Sequence, residues 1–306
     1  MGRGHPESPQ RLDAIDDHLR AVGLDIALEA RDAPLVDLAD VALAHDSGYV
    51  TEIQHVLQQV MADGEPRSLD PDTIASPGTW NAVRRAAGAA VAATDAVIDG
   101  NARNAFCAVR PPGHHATRHA AMGFCFFNNV AIAARHAVDV RGLERVAIID
   151  FDVHHGNGTE DIIAGDERVL MVSFFQHPFY PYSGGVPMGP NMVNVPIPAY
   201  TRGPEIRSLI EANWMPRLES FRPQMLFISA GFDAHREDDL GQLGLVEADY
   251  AWMTRRLMAV AQRHSKGRIV SCLEGGYNLS ALARSVAAHL RVLAGVDGVE
   301  SSEPHP

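Results

Sequence analysis

The chain has 306 residues, enough for one large domain or two small ones with a sizeable core. Lys and Arg total 26 against 38 Asp and Glu, a net charge of −12 that argues against a nucleic-acid binder held by a general basic surface. Fifteen histidines accompany only three cysteines, Cys107, Cys125 and Cys272, with no CxxC pair, so neither a disulfide framework nor a thiolate zinc knuckle is supported. The surplus lies in imidazoles and carboxylates, the donors of borderline and hard metal sites.

The N-terminal stretch MGRGHPESPQRLDAIDDHLR is polar and lacks the apolar core of a signal peptide. No segment reaches the roughly eighteen apolar residues of a membrane span, so a cytoplasmic protein is expected. Ser8 followed by Pro9 reads as the N-cap and first-turn proline of a helix whose apolar positions are Leu12, Ile15, Leu19 and Val22. Trp80, Val83, Ala87, Val91 and Thr94 repeat the helical spacing. Apolar, β-branched runs follow at 104–109, 145–151, 168–174, 225–230 and 268–273, with helical patterns at 252–260 and 279–293. The runs VAIID, VLMVSF and MLFISA suit strands buried on both faces of a parallel sheet. The alternation predicts an α/β protein: an open, mostly parallel sheet with helices on both faces, one domain over 1–295, and a frayed tail at 296–306.

Long polar and glycine-rich loops follow several strands, and in open parallel sheets the active site lies beyond the strands' carboxyl ends. At the end of VAIID, alternation puts Asp150, Asp152 and His154 on one face, where two carboxylates and an imidazole could grip a divalent cation. A helix cap with satisfied polar strand-end residues is the plain alternative. Asp233 follows MLFISA at a second strand end, where a turn or cap residue is equally ordinary. The tandem His114-His115 sits in a Pro/Gly-restrained loop, and Tyr277 follows two glycines after IVSCLE. Four such strand ends in one chain outweigh each bland reading. No HExxH, GxSxG elbow, Walker loop or GxGxxG after a strand offers a competing chemistry.

In order along the chain, HPESPQR, RPPGHH, GFCFFNN, DFDVHHGNGT, SAGFDAH and EGGYN resemble the histone deacetylase-like zinc amidohydrolases, over nearly the whole length. The HHGNGT form, with Asn157, is similar to the class II branch and its bacterial relatives. The resemblance implies zinc ligands Asp152, His154 and Asp233, with Fe(II) or Co(II) also accepted by such a donor set. It implies catalytic roles for His114, His115 and Tyr277, with Asp150 and Asn157 as the partners of the two histidines. A carboxylate partner favours imidazolium whereas an amide leaves the ring neutral, so His115 is expected to be the general base and His114 an electrostatic group.

The same resemblance implies a structural potassium ion at Asp150, Asp152, His154, Ser173 and Phe174. It implies a tunnel for an acyl-lysine peptide or protein, with Phe124 as one wall, Tyr180 or Phe179 as the other, and the Gly123 carbonyl receiving the substrate amide. Arg11 matches an arginine lining an internal acetate passage, with a helix-surface or strand-end salt bridge as the plain alternative. Polyamine-preferring relatives carry glutamate where Leu240 stands here, which favours acyl-lysine over acetylpolyamine; Glu237, Asp238 and Asp239 could still present negative charge at the mouth. Neither nucleic-acid nor membrane contact is expected. A binuclear manganese ureohydrolase of the arginase type would want a carboxylate where His235 stands. Most remaining histidines, such as His18, His136 and His289, are expected to be ordinary helix or surface residues. Relatives carry a strand ahead of the first motif, whereas only four residues precede His5 here, so a missing edge strand or a late start is expected.

Overall fold

A computed structural model describes Gly2 and residues 4–297. The first half of the chain forms α1 (Gln10–Ala21), α2 (Leu38–Val41), α3 (Ser47–Asp63), a hairpin of β1 (Arg67–Ser68) and β2 (Ile74–Ala75), α4 (Thr79–Ile98), β3 (Asn104–Cys107), α5 (Asn129–Arg135) and β4 (Val146–Asp150). The second half adds α6 (Asn157–Ile163), β5 (Val169–Gln176), β6 (Met192–Ile197), α7 (Gly203–Phe221), β7 (Leu226–Ala230), α8 (Glu247–His264), β8 (Ile269–Leu273) and α9 (Leu279–Ala294). Strands β3 to β8 make one parallel sheet in the order β3-β8-β7-β4-β5-β6.

The apolar runs account for this. β4, β5, β7 and β8 are buried along their whole length, because helices cover both faces. Alternation in β4 sends Val146 and Ile148 into a core beneath α3 to α6, and Ala147, Ile149 and Phe151 into one beneath α1, α7, α8 and α9. The five expected strands are present, and a sixth, β6, joins them at an edge. Its partly exposed positions and Pro196 hide it from a search for apolar runs, and an edge is where a sheet tolerates proline.

Local details differ from the reading of the sequence. Pro9, already helical at φ −55°, takes the N-cap place of α1, and Ser8 contributes its carbonyl to the Arg11 N–H (3.1 Å) without a side-chain cap. Val22 lies just past the helix end. Of the tail expected to fray, 298–306 lies outside the described residues; Val296 still donates to the Arg291 carbonyl (2.9 Å) and Asp297 pairs with Arg255 (3.2 Å).

Two histidines expected on helices or the surface are buried. His136 sits between Asp40 (2.7 Å) and Asp95 (2.9 Å). His289 on α9 lies between Thr254 Oγ1 (2.7 Å) and Ser271 Oγ (3.0 Å). Thr254 already donates to the Tyr250 carbonyl, so His289 Nδ1 carries the proton and Nε2 accepts from Ser271. Among the described residues no helix is long and apolar enough to cross a membrane.

Burial pushes His289 down to about 3, and His45 down to about 4 with its bond to the Thr117 carbonyl opposing. Unfolded, both take up a proton below about pH 6.5. The unfolded state therefore binds more protons from there down to about pH 3, and stability present above pH 6.5 is lost on acidification. His289→Gln removes one titration: between about pH 7 and 5 the wild type should lose ~2 kcal/mol more unfolding free energy than the variant in urea titrations. Equal losses would refute the assignment.

Candidate active site

Strands β8, β7 and β4 are neighbours, with Asp150 level with Ser229 and Ser229 level with Cys272. The three chains leaving their carboxyl ends therefore emerge side by side. They bring together Asp152 and His154 after β4, Asp233 after β7, and the Gly275-Gly276-Tyr277 turn after β8. Donor atoms of Asp152, His154 and Asp233 lie within 4.8 Å of one another. His154 Nδ1 stands 3.0 Å from Asp152 Oδ1 and 3.2 Å from Asp233 Oδ2.

Backbone groups aim the carboxylates. Asp152 Oδ2 accepts from the Gly275 N–H (2.8 Å) and Asp233 Oδ1 from the Val153 N–H (2.9 Å). A Cβ on Gly275 would come within 1.9 Å of Asp233 Oδ2, and one on Gly231 within 2.0 Å of Asp152 Oδ2, so only glycine leaves room. Asp233 Oδ2 is buried with no hydrogen-bond partner. Burial and the Asp152 charge push Asp233 up to about 7. Burial would push His154 down, but Asp152 and Asp233 outweigh it and raise it to about 10, so a proton there offsets one negative charge. Two buried carboxylates, one oxygen unpartnered, and one imidazole fit a divalent cation in place of that proton.

The tandem histidines stand beside this cluster, their ring centroids 4.0 Å apart, with His115 5.9 Å from His154. His114 Nδ1 is 3.0 Å from Asp150 Oδ2, and its Nε2 is 3.8 Å from Asp152 Oδ2. Burial opposes charge on His114, yet Asp152 and Asp150 raise it well above the ordinary range. His115 Nδ1 is 2.8 Å from Asn157 Oδ1, while Asn157 Nδ2 donates to Met122 Sδ (3.3 Å), which fixes the amide's orientation. An acceptor oxygen at Nδ1 requires the proton there and leaves Nε2 with its lone pair. Burial, then the charges of His114 and His154, hold His115 well below the ordinary range.

The remaining expected residues lie around the same cluster. Phe124, at φ 70°, meets the Tyr277 ring edge-on at 6.0 Å. Tyr180 packs edge-on against His115 (5.2 Å), and Phe179 stacks on His154 (5.4 Å). Gly123 faces His115, whose ring would lie 2.5 Å from an added Cβ. Burial and then the Asp233 charge push the Tyr277 phenol well up, so it stays protonated as a donor. Arg11 is fully buried, which overturns the surface alternative. It donates to the Gly276 carbonyl (2.6 Å) and lies 5.0 Å over the Tyr277 ring.

Behind the cluster, Ser173 is level with Asp150 across β4 and β5, and its hydroxyl is buried without a partner. Its neighbour Phe174 stacks on Trp214. Of the three acidic residues expected at the mouth, Asp238 turns inward, Glu237 pairs with Arg284 (2.8 Å) and Asp239 stays exposed, next in sequence to half-buried Leu240. His235 is turned away from the cluster, its Nδ1 accepting the Glu237 N–H (3.1 Å).

Several supporting residues escaped sequence reasoning. Glu274 accepts the N–H groups of Gly113 (2.7 Å) and His114 (3.1 Å), holding the tandem-histidine loop. Glu7 joins Arg110 (2.5 Å) to Arg11 (3.4 Å). His45 Nε2 accepts from the Asn128 N–H (2.9 Å), and Asn128 donates to the Ala116 carbonyl (3.3 Å). Asp70 accepts from the Gly123 N–H (3.3 Å). Only the motif membership of Glu7, Asn128 and Glu274 was a usable signal; Asp70 sits in a plain polar turn.

A profile of the histone deacetylase domain matches residues 5–293. The chain belongs to the histone deacetylase family. It is 36% identical over 300 residues to a histone deacetylase-like amidohydrolase of Pseudomonas aeruginosa, covering 96% of this chain and 78% of that one. It is likewise 36% identical over 307 residues to the human polyamine deacetylase HDAC10, covering 94% of this chain and 44% of that protein. The crystal structure of an HDA15 HD domain superposes with a TM-score of 0.87 at 33% identity, covering 97% of this chain and 85% of that one. This histone deacetylase-family member is thus an amidohydrolase built on the family's α/β fold.

The cradle's dependence on Gly275 is directly testable. Gly275→Ala should leave the fold's melting temperature within a few degrees yet cut bound divalent metal by more than half, read by elemental analysis. Full occupancy in that variant would contradict the crowding argument.

Proposed function

We propose that the protein hydrolyses the amide of N-acetyl- or N-acyl-lysine in peptides or proteins, with zinc held by Asp152, His154 and Asp233. Fe(II) or Co(II) suits the same donors. Potassium is proposed behind them, at Asp150, Asp152, His154, Ser173 and Phe174, where the partnerless Ser173 hydroxyl supports a cation. The observation that carries the reading is the pair of unlike partners on the tandem histidines, Asp150 on His114 and Asn157 on His115.

A divalent cation in the cradle supplies Lewis acidity to the scissile carbonyl and to the attacking water. His115 Nε2, free to accept, takes the water's proton and returns it to the leaving lysine nitrogen. His114, kept charged by Asp150 and Asp152, adds positive potential beside the reacting atoms. The Tyr277 hydroxyl donates to the carbonyl oxygen as that oxygen gains charge. Phe124 and Tyr180 wall the acyl-lysine chain from water, the Gly123 carbonyl accepts the substrate amide N–H, and Arg11 attends the released carboxylate. Acetate and a free lysine side chain are the products.

The similarity to a polyamine deacetylase favours a second reading, acetylpolyamine hydrolysis at the same site. Leu240, the pairing of Glu237 with Arg284 and the inward turn of Asp238 weigh against it, since a second ammonium finds less negative charge there. Neither nucleic acid nor membrane is part of the proposal.

Tyr277→Phe should lower kcat on an acetyl-lysine peptide by about 10²–10³ while zinc stays bound. Near-normal turnover would sink the assignment. Asn157→Asp puts a negative partner on His115 and favours its imidazolium. Because the base must be neutral, the acid limb of kcat/KM should move up by about one pH unit or more, and an unmoved limb would remove His115 as base. Leu240→Glu should shift relative kcat/KM toward acetylspermidine by about fivefold, as one exposed ion pair allows; wild-type preference for acetylspermidine would favour the second reading.

A further inference from the structure

Asp238 stands five residues beyond Asp233, in the loop after β7, and is only 6% exposed. Its carboxylate collects backbone N–H groups from two separate loops. Oδ2 accepts from Tyr277 (2.6 Å) and Asn278 (2.9 Å), and Oδ1 accepts from Leu240 (3.0 Å). Its own N–H is held by the His235 carbonyl (2.9 Å), so the clamp is anchored to the chain that carries Asp233.

The Tyr277 segment needs such an anchor. Before it, the Gly275 N–H is tied to Asp152 (2.8 Å) and the Gly276 carbonyl to Arg11 (2.6 Å), which leaves the Tyr277 N–H as the next backbone group to be held. On the other side Asn278 caps α9 through the Ala281 N–H (3.0 Å). Asp238 fills the gap between these two fixed points, at a helix start where negative charge is favoured. Capping alone would call for the Asn278 N–H. The bonds to Tyr277 and Leu240 go beyond it, and they tie the phenol and the mouth residue to one carboxylate.

We propose that Asp238 is a positioning residue for turnover: through the Tyr277 N–H it sets where the phenol stands over the Asp152–His154–Asp233 cluster, and through the Leu240 N–H it sets the mouth from the same point. The inference rests on the role given to Tyr277 above. A carboxylate accepts all three N–H groups; asparagine keeps one oxygen, enough for the Tyr277 and Asn278 pair; alanine keeps none.

The test is a double-mutant cycle on a fluorogenic acetyl-lysine peptide, with zinc content and melting temperature checked for each variant. Asp238→Ala should lower kcat about thirtyfold with KM changed less than about threefold, and Asp238→Asn should recover most of that loss. In a Tyr277→Phe background, Asp238→Ala should cost less than about threefold, because the group it positions is gone. A second readout uses 3-fluorotyrosine in all six tyrosines, with the Tyr277 line identified by its loss in Tyr277→Phe. Asp238→Ala should shift or broaden that ¹⁹F line beyond the other five, and Asp238→Asn should move it less. Should the alanine variant not fold, the near-isosteric Asp238→Leu, which keeps the volume but no acceptor, carries both the cycle and the spectrum. Equal kcat losses in the two backgrounds, or an unmoved Tyr277 line, would overturn the inference. Unimpaired Tyr277→Phe would instead overturn the reading of Tyr277 on which it stands.

Discussion

Two carboxylates, Asp152 and Asp233, are buried within reach of one another at the ends of neighbouring strands, and the rest of the site answers to that constraint. Desolvated like charges cannot stand uncompensated. Backbone N–H groups of Gly275 and Val153 take part of the load, and His154 takes more. What remains, the orphaned Asp233 oxygen, defines a position for positive charge. The order β8-β7-β4 makes the arrangement possible, because only adjacent parallel strands release their chains at one edge a few ångströms apart.

Around that charge the two tandem histidines are differentiated by the groups each ring meets. Their rings touch and share one loop, yet one faces a carboxylate and the other an amide whose orientation Met122 fixes. The charged ring then helps keep its neighbour neutral. One loop thus presents a fixed cation and a free base side by side, with Asp150 and Asp152 on one ring and Asn157 on the other.

Much of this was legible in the sequence for a simple reason: strands buried on both faces write continuous apolar runs, and polar residues at their ends stand out against them. Asp152, His154, Asp233 and Tyr277 were visible on those grounds. β6 was not, since an edge strand with Pro196 and partly exposed positions writes no such run. Residues acting through tertiary contact were also silent. Asp70 and Asp238 matter because of which backbone amides they meet across the fold, and nothing local announces that. The helical placing of His136 and His289 holds, but their burial was silent for the same cause: helical position is local, whereas burial between Asp40 and Asp95, or between Thr254 and Ser271, is not.

The reach of Arg11 bears on how the molecule comes into being. Its bond to the Gly276 carbonyl closes a separation of 265 residues, and α1 packs against α9 across the same divide. During synthesis β4 and the tandem-histidine loop leave the ribosome well before their last partners exist. Asp152 must wait for the Gly275 amide, and Arg11 for the turn beyond β8. Such distant closures slow folding and leave an early, half-built sheet with exposed apolar strands. Catalytic competence accordingly waits on the whole domain: elements from its opposite ends must find each other before the site can work.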